Sequence, residues 1–278
     1  MSHSVFSSVR IALRGGGDLG SGVAYRAARA GFPVLITELP APLLVRRGVS
    51  YGSAVLDGTI MVDGVTARHA TTLDEALRIQ QSGEIAVMAD PAGAVLHDYR
   101  PDVIVDARML KADPGTQRIG ESLVIGMGPG FTVPGNCDAV IETNRGHHLG
   151  RVIWQGSAEA DTGLPGDMLG QTGTRVLRAP INGTIRDGLP IGSHVTAGTA
   201  IARVDDHALN APFDGILRGL LHDGQQVEAG LKIGDLDPRG DPAYCFSISD
   251  KSLAIGGGVM EAILCSPLVQ RRLSAQRA

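Results

Sequence analysis

Near the start of the chain, Gly15, Gly17, Asp18 and Gly20 fall within the stretch Leu13-Arg-Gly-Gly-Gly-Asp-Leu-Gly-Ser-Gly22. The three glycines match G-x-G-x-x-G, a spacing that lets backbone N–H groups reach a pyrophosphate at the start of a helix. Glu38 lies 18 residues beyond Gly20, close to the distance at which an acidic side chain meets the ribose hydroxyls of a dinucleotide. Asp18 works against this reading, because an acid beside a phosphate repels it unless it caps the helix or holds a metal or sugar. Glycine also fills turns that bind nothing, since it alone tolerates positive φ at little cost.

Further candidates follow predicted strands. Asp90, Asp106, Arg108 and Lys111, with Gly128 and Gly130 in the loop Gly126-Met-Gly-Pro-Gly-Phe131, stand where an open parallel sheet collects its ligands. Asp106 and Arg108 read equally as a structural ion pair. Arg145 and His147 belong to Thr143-Asn-Arg-Gly-His-His148. His147 is a candidate acid, base or phosphate ligand against the plainer reading of a surface histidine, and the adjacent His148 points the other way on an extended segment, so the two form no metal pair. Cys137 is a candidate thiolate acceptor for sulfur or selenium, or a small buried residue. Arg46-Arg47 reads as an anion contact or a solvated loop. Gly256-Gly-Gly258 reads as a turn before a short helix over 259–264, either a second anion site close to Lys251 or a plain return of the chain.

The elements that must carry these residues begin with a βαβ unit: an apolar run at 9–13, the glycine turn, a helical pattern over 22–30 stopped by Gly31, and an apolar run at 33–38. Asp63-Gly64 between two short apolar runs predicts a hairpin, and Thr71 to Gln80 starts like a capped amphipathic helix. Apolar runs at 84–88, 103–107, 123–126 and 139–142 predict further buried strands, so residues 1–174 are expected to form a Rossmann-like α/β domain.

Residues 175–278 read differently, because Ala179-Pro-Ile-Asn-Gly-Thr-Ile185 recurs as Ala211-Pro-Phe-Asp-Gly-Ile-Leu217. Gly192-Ser-His-Val-Thr-Ala-Gly198 recurs as Gly224-Gln-Gln-Val-Glu-Ala-Gly230 at the same offset. Each copy is too small to bury its own apolar face, so the two are expected to interlock. The pattern resembles a duplicated β barrel-sandwich hybrid of the biotinyl/lipoyl kind, followed by a short C-terminal helical segment. At the hairpin between its halves stands His207 rather than a lysine, so no lipoate or biotin attachment is expected.

Composition excludes some classes. The 25 basic residues nearly balance the 29 acidic ones without forming a block, which argues against nucleic acid and anionic membrane as partners. Three widely spaced cysteines fit neither a disulfide framework nor a paired metal site. No apolar run approaches the length of a membrane span, and a cytoplasmic protein is expected.

Nearly the whole chain resembles the YqeB family. The resemblance rests on Arg14-Gly-Gly-Gly-Asp-Leu-Gly20, Val45-Arg-Arg-Gly-Val-Ser50, Val105-Asp-Ala-Arg108, Gly126-Met-Gly-Pro-Gly-Phe131, Ile141-Glu-Thr-Asn-Arg-Gly-His147, Lys232-Ile-Gly-Asp-Leu-Asp-Pro-Arg239 and the ending from Ile248 to Ile263. It implies an accessory role in maturing a selenium-dependent molybdenum hydroxylase; the glycine turn with the arginines near it would suit a molybdopterin-type cofactor as well as a nucleotide such as NAD or CTP. The client hydroxylase or other maturation proteins are the implied partners. It carries over no catalytic residue, and it leaves an NAD(P)-dependent oxidoreductase and a non-catalytic scaffold as alternatives.

Overall fold

The computed structural model describes residues 5–161 and 173–275. Segment 162–172, at the end of the expected first domain, lies outside the described residues. The chain divides into two compact units: residues 1–42, 51–161 and 248–278 form the first, and 43–50 with 162–247 form the second.

Chain order in the first unit is β1 (Ile11–Arg14), α1 (Asp18–Ala30), β2 (Val34–Glu38), α2 (Ala54–Asp57), β3 (Thr59–Val62), β4 (Val65–His69), α3 (Leu73–Gln81), β5 (Ile85–Ala89), α4 (Leu96–Tyr99), β6 (Val103–Asp106), β7 (Leu123–Met127), β8 (Thr132–Val133), β9 (Ala139–Ile141), β10 (Val152–Ile153) and β11 (Gly156–Ser157). Among the described residues nine strands form one sheet in the order β10-β9-β7-β6-β1-β2-β5-β4-β3. The centre is parallel, with β1 between β2 and β6, while the β3–β4 hairpin and β10 run antiparallel at the two edges. Apolar β-branched and leucine side chains fill the central strands on both faces, and β1, β6 and β7 are buried throughout, as expected of strands covered on both sides. Asp63 and Gly64 both take positive φ, the turn geometry that their sequence signals. Thr72 caps α3 by accepting from the Glu75 N–H at 3.2 Å.

The second unit holds two four-stranded antiparallel sheets. Its strands are β12 (Val176–Arg178), β13 (Gly183–Arg186), β14 (His194–Val195), β15 (Ala200–Val204), β16 (His207–Asn210), β17 (Gly215–Leu220), β18 (Gln226–Val227) and β19 (Lys232–Asp237). Sheet orders are β12-β19-β17-β14 and β16-β15-β13-β18, so each sequence copy lends a two-residue strand to the sheet of the other. A shared core of Ile185, Ile201, Val204, Leu217, Leu220 and Leu236 lies between them. Each such side chain stabilises the fold by about 1.5–3 kcal/mol on burial.

This architecture replaces the expected Rossmann-like domain plus duplicated biotinyl/lipoyl barrel-sandwich hybrid. The large sheet is mixed rather than a doubly wound parallel one, and it stands with separate small antiparallel sheets. The second unit also draws in 43–50, where Arg47 Nε donates to the Leu220 carbonyl at 3.0 Å and Arg46 Nη2 to the Tyr244 carbonyl at 3.0 Å.

The C-terminal residues return to the first unit as α5 (Asp250–Cys265) and α6 (Pro267–Ala275). Gly256-Gly-Gly258 is no turn: α5 runs straight through it. A Cβ on Gly256 would come within 2.7 Å of the Gly22 carbonyl on α1, and one on Gly22 would run into the Ser252 carbonyl on α5. The glycines are therefore there for helix contact. Among the described residues no single helix is long and apolar enough to cross a membrane.

Gly22→Ala should thus force α1 and α5 apart at a site with no flexible atom to yield. A loss of about 1–3 kcal/mol is expected, as for other overpacked contacts, read as a lower urea midpoint. A midpoint equal to that of the parent would contradict the close approach.

Candidate functional site

The carboxyl ends of the parallel strands bring several of the sequence candidates of the first unit to one edge, whereas Cys137 precedes β9. Arg14 ends β1 and pairs in register with Asp106 at the end of β6, which in turn pairs with Gly126 on β7. Register partners on neighbouring strands face the same side of a sheet, so Arg14 and Asp106 share a face.

The glycine turn is closed from within. Gly15 donates its N–H to the Thr37 carbonyl at 2.9 Å, and Gly16 donates to Glu38 Oε2 at 2.7 Å while Leu39 N–H donates to Oε1 at 2.8 Å. Glu38 is thus the turn's own anion, and it is committed to the backbone rather than offered to a ribose. A Cβ on Gly15 would sit 3.1 Å from the Ala107 carbonyl and the Arg108 nitrogen, and one on Gly20 2.5 Å from the Gly15 carbonyl. These residues are glycine so that the β1 and β6 loops can touch. Gly17 is the N-cap of α1 in an extended conformation, and Asp18 accepts from Ser252 Oγ at 2.8 Å.

Asp106 is buried and holds Arg108 through Nε at 3.1 Å and Nη2 at 2.5 Å, with Thr116 Oγ1 also donating to it. The ion-pair reading of these two residues is therefore realised. Asp90 accepts from the backbone of Gly93 at 2.9 Å and Val95 at 2.8 Å, and Lys111 pairs with Asp161 at 2.7 Å. Gly128 and Gly130 both have positive φ. A Cβ on Gly128 would meet Thr143 Oγ1 at 2.5 Å, and one on Gly130 would run into the Ala112 carbonyl. Arg145 is exposed and grips Asp250 through both terminal nitrogens, at 2.9 and 3.1 Å. His147 and His148 are exposed, with their rings edge to face at 5.1 Å. No metal-type cluster of three acidic, cysteine or histidine side chains occurs among the described residues. Arg46 and Arg47 fall in the second unit, outside this edge. Cys137 is buried and its thiol is pushed up to about 11 by desolvation, which suits a packing residue rather than a thiolate nucleophile.

Arg14 was absent from the sequence candidates, and Lys251 stood among them only as a neighbour of the expected turn at 256–258. Arg14, which immediately precedes the glycines, is 8% exposed. Its Nη2 donates to the Pro91 carbonyl at 2.6 Å, while its Nε is buried without a hydrogen-bond partner. Burial and the Arg108 charge lower its pKa against the opposing pull of Asp106 and Asp90. Lys251, in the first turn of α5, is half-buried, and its pKa is lowered by burial and by Arg145 while Asp18, Glu142 and Asp250 pull it up. Glu142 is itself buried and accepts from the N–H groups of Asn144 at 2.7 Å and Glu159 at 2.8 Å. A charged residue ending an apolar strand was the one available signal for Arg14. Apart from the adjacent Asp250, the groups that act on Lys251 come from positions more than a hundred residues away.

No protein-family model matches the chain. It is 47% identical over 254 residues to the Escherichia coli (strain K12) protein named "Uncharacterized protein YqeB", and the match covers 91% of this chain and 47% of that protein. The chain therefore spans about half the length of this curated relative. Three solved structures align weakly. The ectoine utilization protein EutE (DoeB) of Ruegeria pomeroyi aligns at 9% identity and TM-score 0.22, over 77% of this chain and 61% of that one. An aspartoacylase family protein of Mesorhizobium loti aligns at 10% and 0.27, over 82% and 84%. A succinylglutamate desuccinylase/aspartoacylase of Rhodobacter sphaeroides aligns at 14% and 0.26, over 84% and 87%. Scores this low assign neither fold nor activity.

The expected part in molybdenum hydroxylase maturation does not stand, nor do the oxidoreductase and scaffold alternatives. The name of the curated relative carries none of the three. The ligand argument behind them is weakened as well, since Glu38 already takes the Gly16 N–H of the glycine turn.

At pH 7.5 iodoacetamide should label the native protein at the exposed Cys265 and spare Cys137 and Cys245, whose thiols are buried and shifted upward. Intact mass before and after denaturation reads this directly, and a second adduct on the native protein would contradict it.

Proposed function

We propose that this chain, which is similar to the YqeB protein over 91% of its length, binds a small carboxylate-bearing metabolite at its carboxyl-edge cluster. The observation that carries this reading is Arg14. Its Nε is removed from water and left without a partner, a state that costs about 1–3 kcal/mol, and more for a charged group, until something accepts the hydrogen. A planar carboxylate matches the guanidinium fork in two hydrogen bonds, and the nearby Arg108 charge, which Asp106 neutralises only in part, favours the same ligand. Gly93 packs against the fork without a side chain: a Cβ there would be 3.2 Å from Arg14 Cζ and Nε. A phosphate ester on the glycine turn is disfavoured by the same electrostatics, because the Glu38 carboxylate would face it.

Thermal-shift titration with mono-, di- and 2-oxo acids, each matched to its neutral amide, tests the site. At least one acid should raise Tm where its amide does not. Arg14→Met, checked for native circular dichroism, should bind that acid roughly 10–100-fold more weakly, the equivalent of one lost charged hydrogen bond of about 1.5–3 kcal/mol. If no acid acts differently from its amide, or if the variant binds as well as the parent, the reading fails.

A further inference from the structure

The other end of the large sheet, where β6 and β7 begin, holds a cavity of about 610 Å³, a volume within the range of small-molecule sites. It lies wholly in the first unit. One wall is α6, whose Leu268, Arg271, Arg272 and Ala275 follow the i, i+3, i+4, i+7 spacing of a single helix face. The other walls come from α4 with the segment that joins it to β6, and from the segment that precedes β7. Pro101, Ile119 and Leu268 supply apolar surface, and His97 on α4 adds a hydrogen-bonding ring.

Three arginines and two carboxylates line this space. Asp102 is buried and already committed: its Oδ2 accepts from the Arg10 N–H and its Oδ1 from Arg272 Nε, each at 2.9 Å. That pair ties α6 to the start of β6 and cancels one charge of each sign. Arg100, Arg271 and Glu121 are exposed, and among the described residues none of the three has an ion pair. Arg100 is the C-cap of α4 in the left-handed conformation, at φ 51°, a position that glycine or asparagine fills at less cost. The turn therefore does not account for an arginine there. Two guanidinium groups and one carboxylate are left facing the cavity without a partner of opposite charge, and their complement is a ligand with two carboxylates and one ammonium.

We propose that this cavity binds an acidic α-amino acid, its carboxylates on Arg100 and Arg271 and its ammonium on Glu121. A guanidinium fork takes a carboxylate in two parallel hydrogen bonds, and the Glu121 oxygens accept from the ammonium. A plain dicarboxylate would set a like charge against Glu121, and an amino acid with a neutral side chain would leave one guanidinium unmet. The cavity shares no residue with the carboxyl-edge cluster, which lies past the far ends of the same strands.

Calorimetric titration of the intact protein with L-glutamate, glutarate and L-glutamine at low salt, where exposed charges are least screened, tests the cavity. L-glutamate should bind roughly tenfold or more tightly than the other two, since glutarate lacks the ammonium and L-glutamine the second carboxylate. Arg100→Met and Arg271→Met, each with native circular dichroism, should weaken L-glutamate binding by a similar factor, and Glu121→Gln should abolish the preference for L-glutamate over glutarate. Arg14→Met should bind L-glutamate as the parent does. No binding of L-glutamate, equal affinity for all three compounds, or unchanged binding in Arg271→Met overturns the proposal. Binding that Arg14→Met removes and Arg271→Met leaves intact would overturn it too, while leaving the Arg14 reading in place.

Discussion

Where α1 crosses α5, two backbones meet with no side chain between them. Gly22 faces the Ser252 carbonyl and Gly256 faces the Gly22 carbonyl. Any Cβ at either position would have to push a helix backbone aside, and protein interiors transmit such a displacement rather than absorb it. Gly258 extends the same constraint to the loop after β9, because a Cβ there would strike the Gly150 carbonyl. The crossing draws residues 248–275 onto the sheet formed by the first 160 residues, and it sets the first turns of both helices side by side. The Asp18–Ser252 hydrogen bond and the placement of Lys251 among Asp18, Glu142 and Arg145 follow from it.

The carboxyl edge shows how a chain can satisfy a glycine turn by itself. Helix N-termini and tight glycine turns attract anions, and here the anion is supplied by the end of the adjoining strand β2. Glu38 accepts from the Gly16 N–H within the turn and from the Leu39 N–H beside its own strand end. The unmet electrostatic demand lies on the neighbouring arginine instead. Arg14 is held by a backbone carbonyl on one nitrogen and by nothing on another, beside an arginine already engaged by Asp106.

Parts of this were legible along the chain because their causes are local. The hairpin at Asp63-Gly64 follows from two residues that accept positive φ, and the start of α3 follows from a threonine within reach of the Glu75 N–H. Apolar runs of four or five residues announced β1, β2, β5, β6 and β7 as buried strands. The three-glycine run at 256–258 was misleading, because glycine is disfavoured within an isolated helix and only the opposing backbone makes it necessary there.

What the sequence determined by itself, then, is the set of elements and the chemistry available at their ends: strands by their apolar content, turns by their glycines, and an arginine, a glutamate and an aspartate where β1, β2 and β6 stop. Whether the glycine turn meets an external anion or Glu38, which loops need glycine in order to touch, and which of three lysines is taken out of water were decided only in the tertiary structure. The physical reason is range. Backbone hydrogen bonding and periodicity act over a few residues, whereas Asp18 and Ser252, or Arg145 and Asp250, are joined across 234 and 105 positions, and only the packing of α5 on α1 brings them within reach.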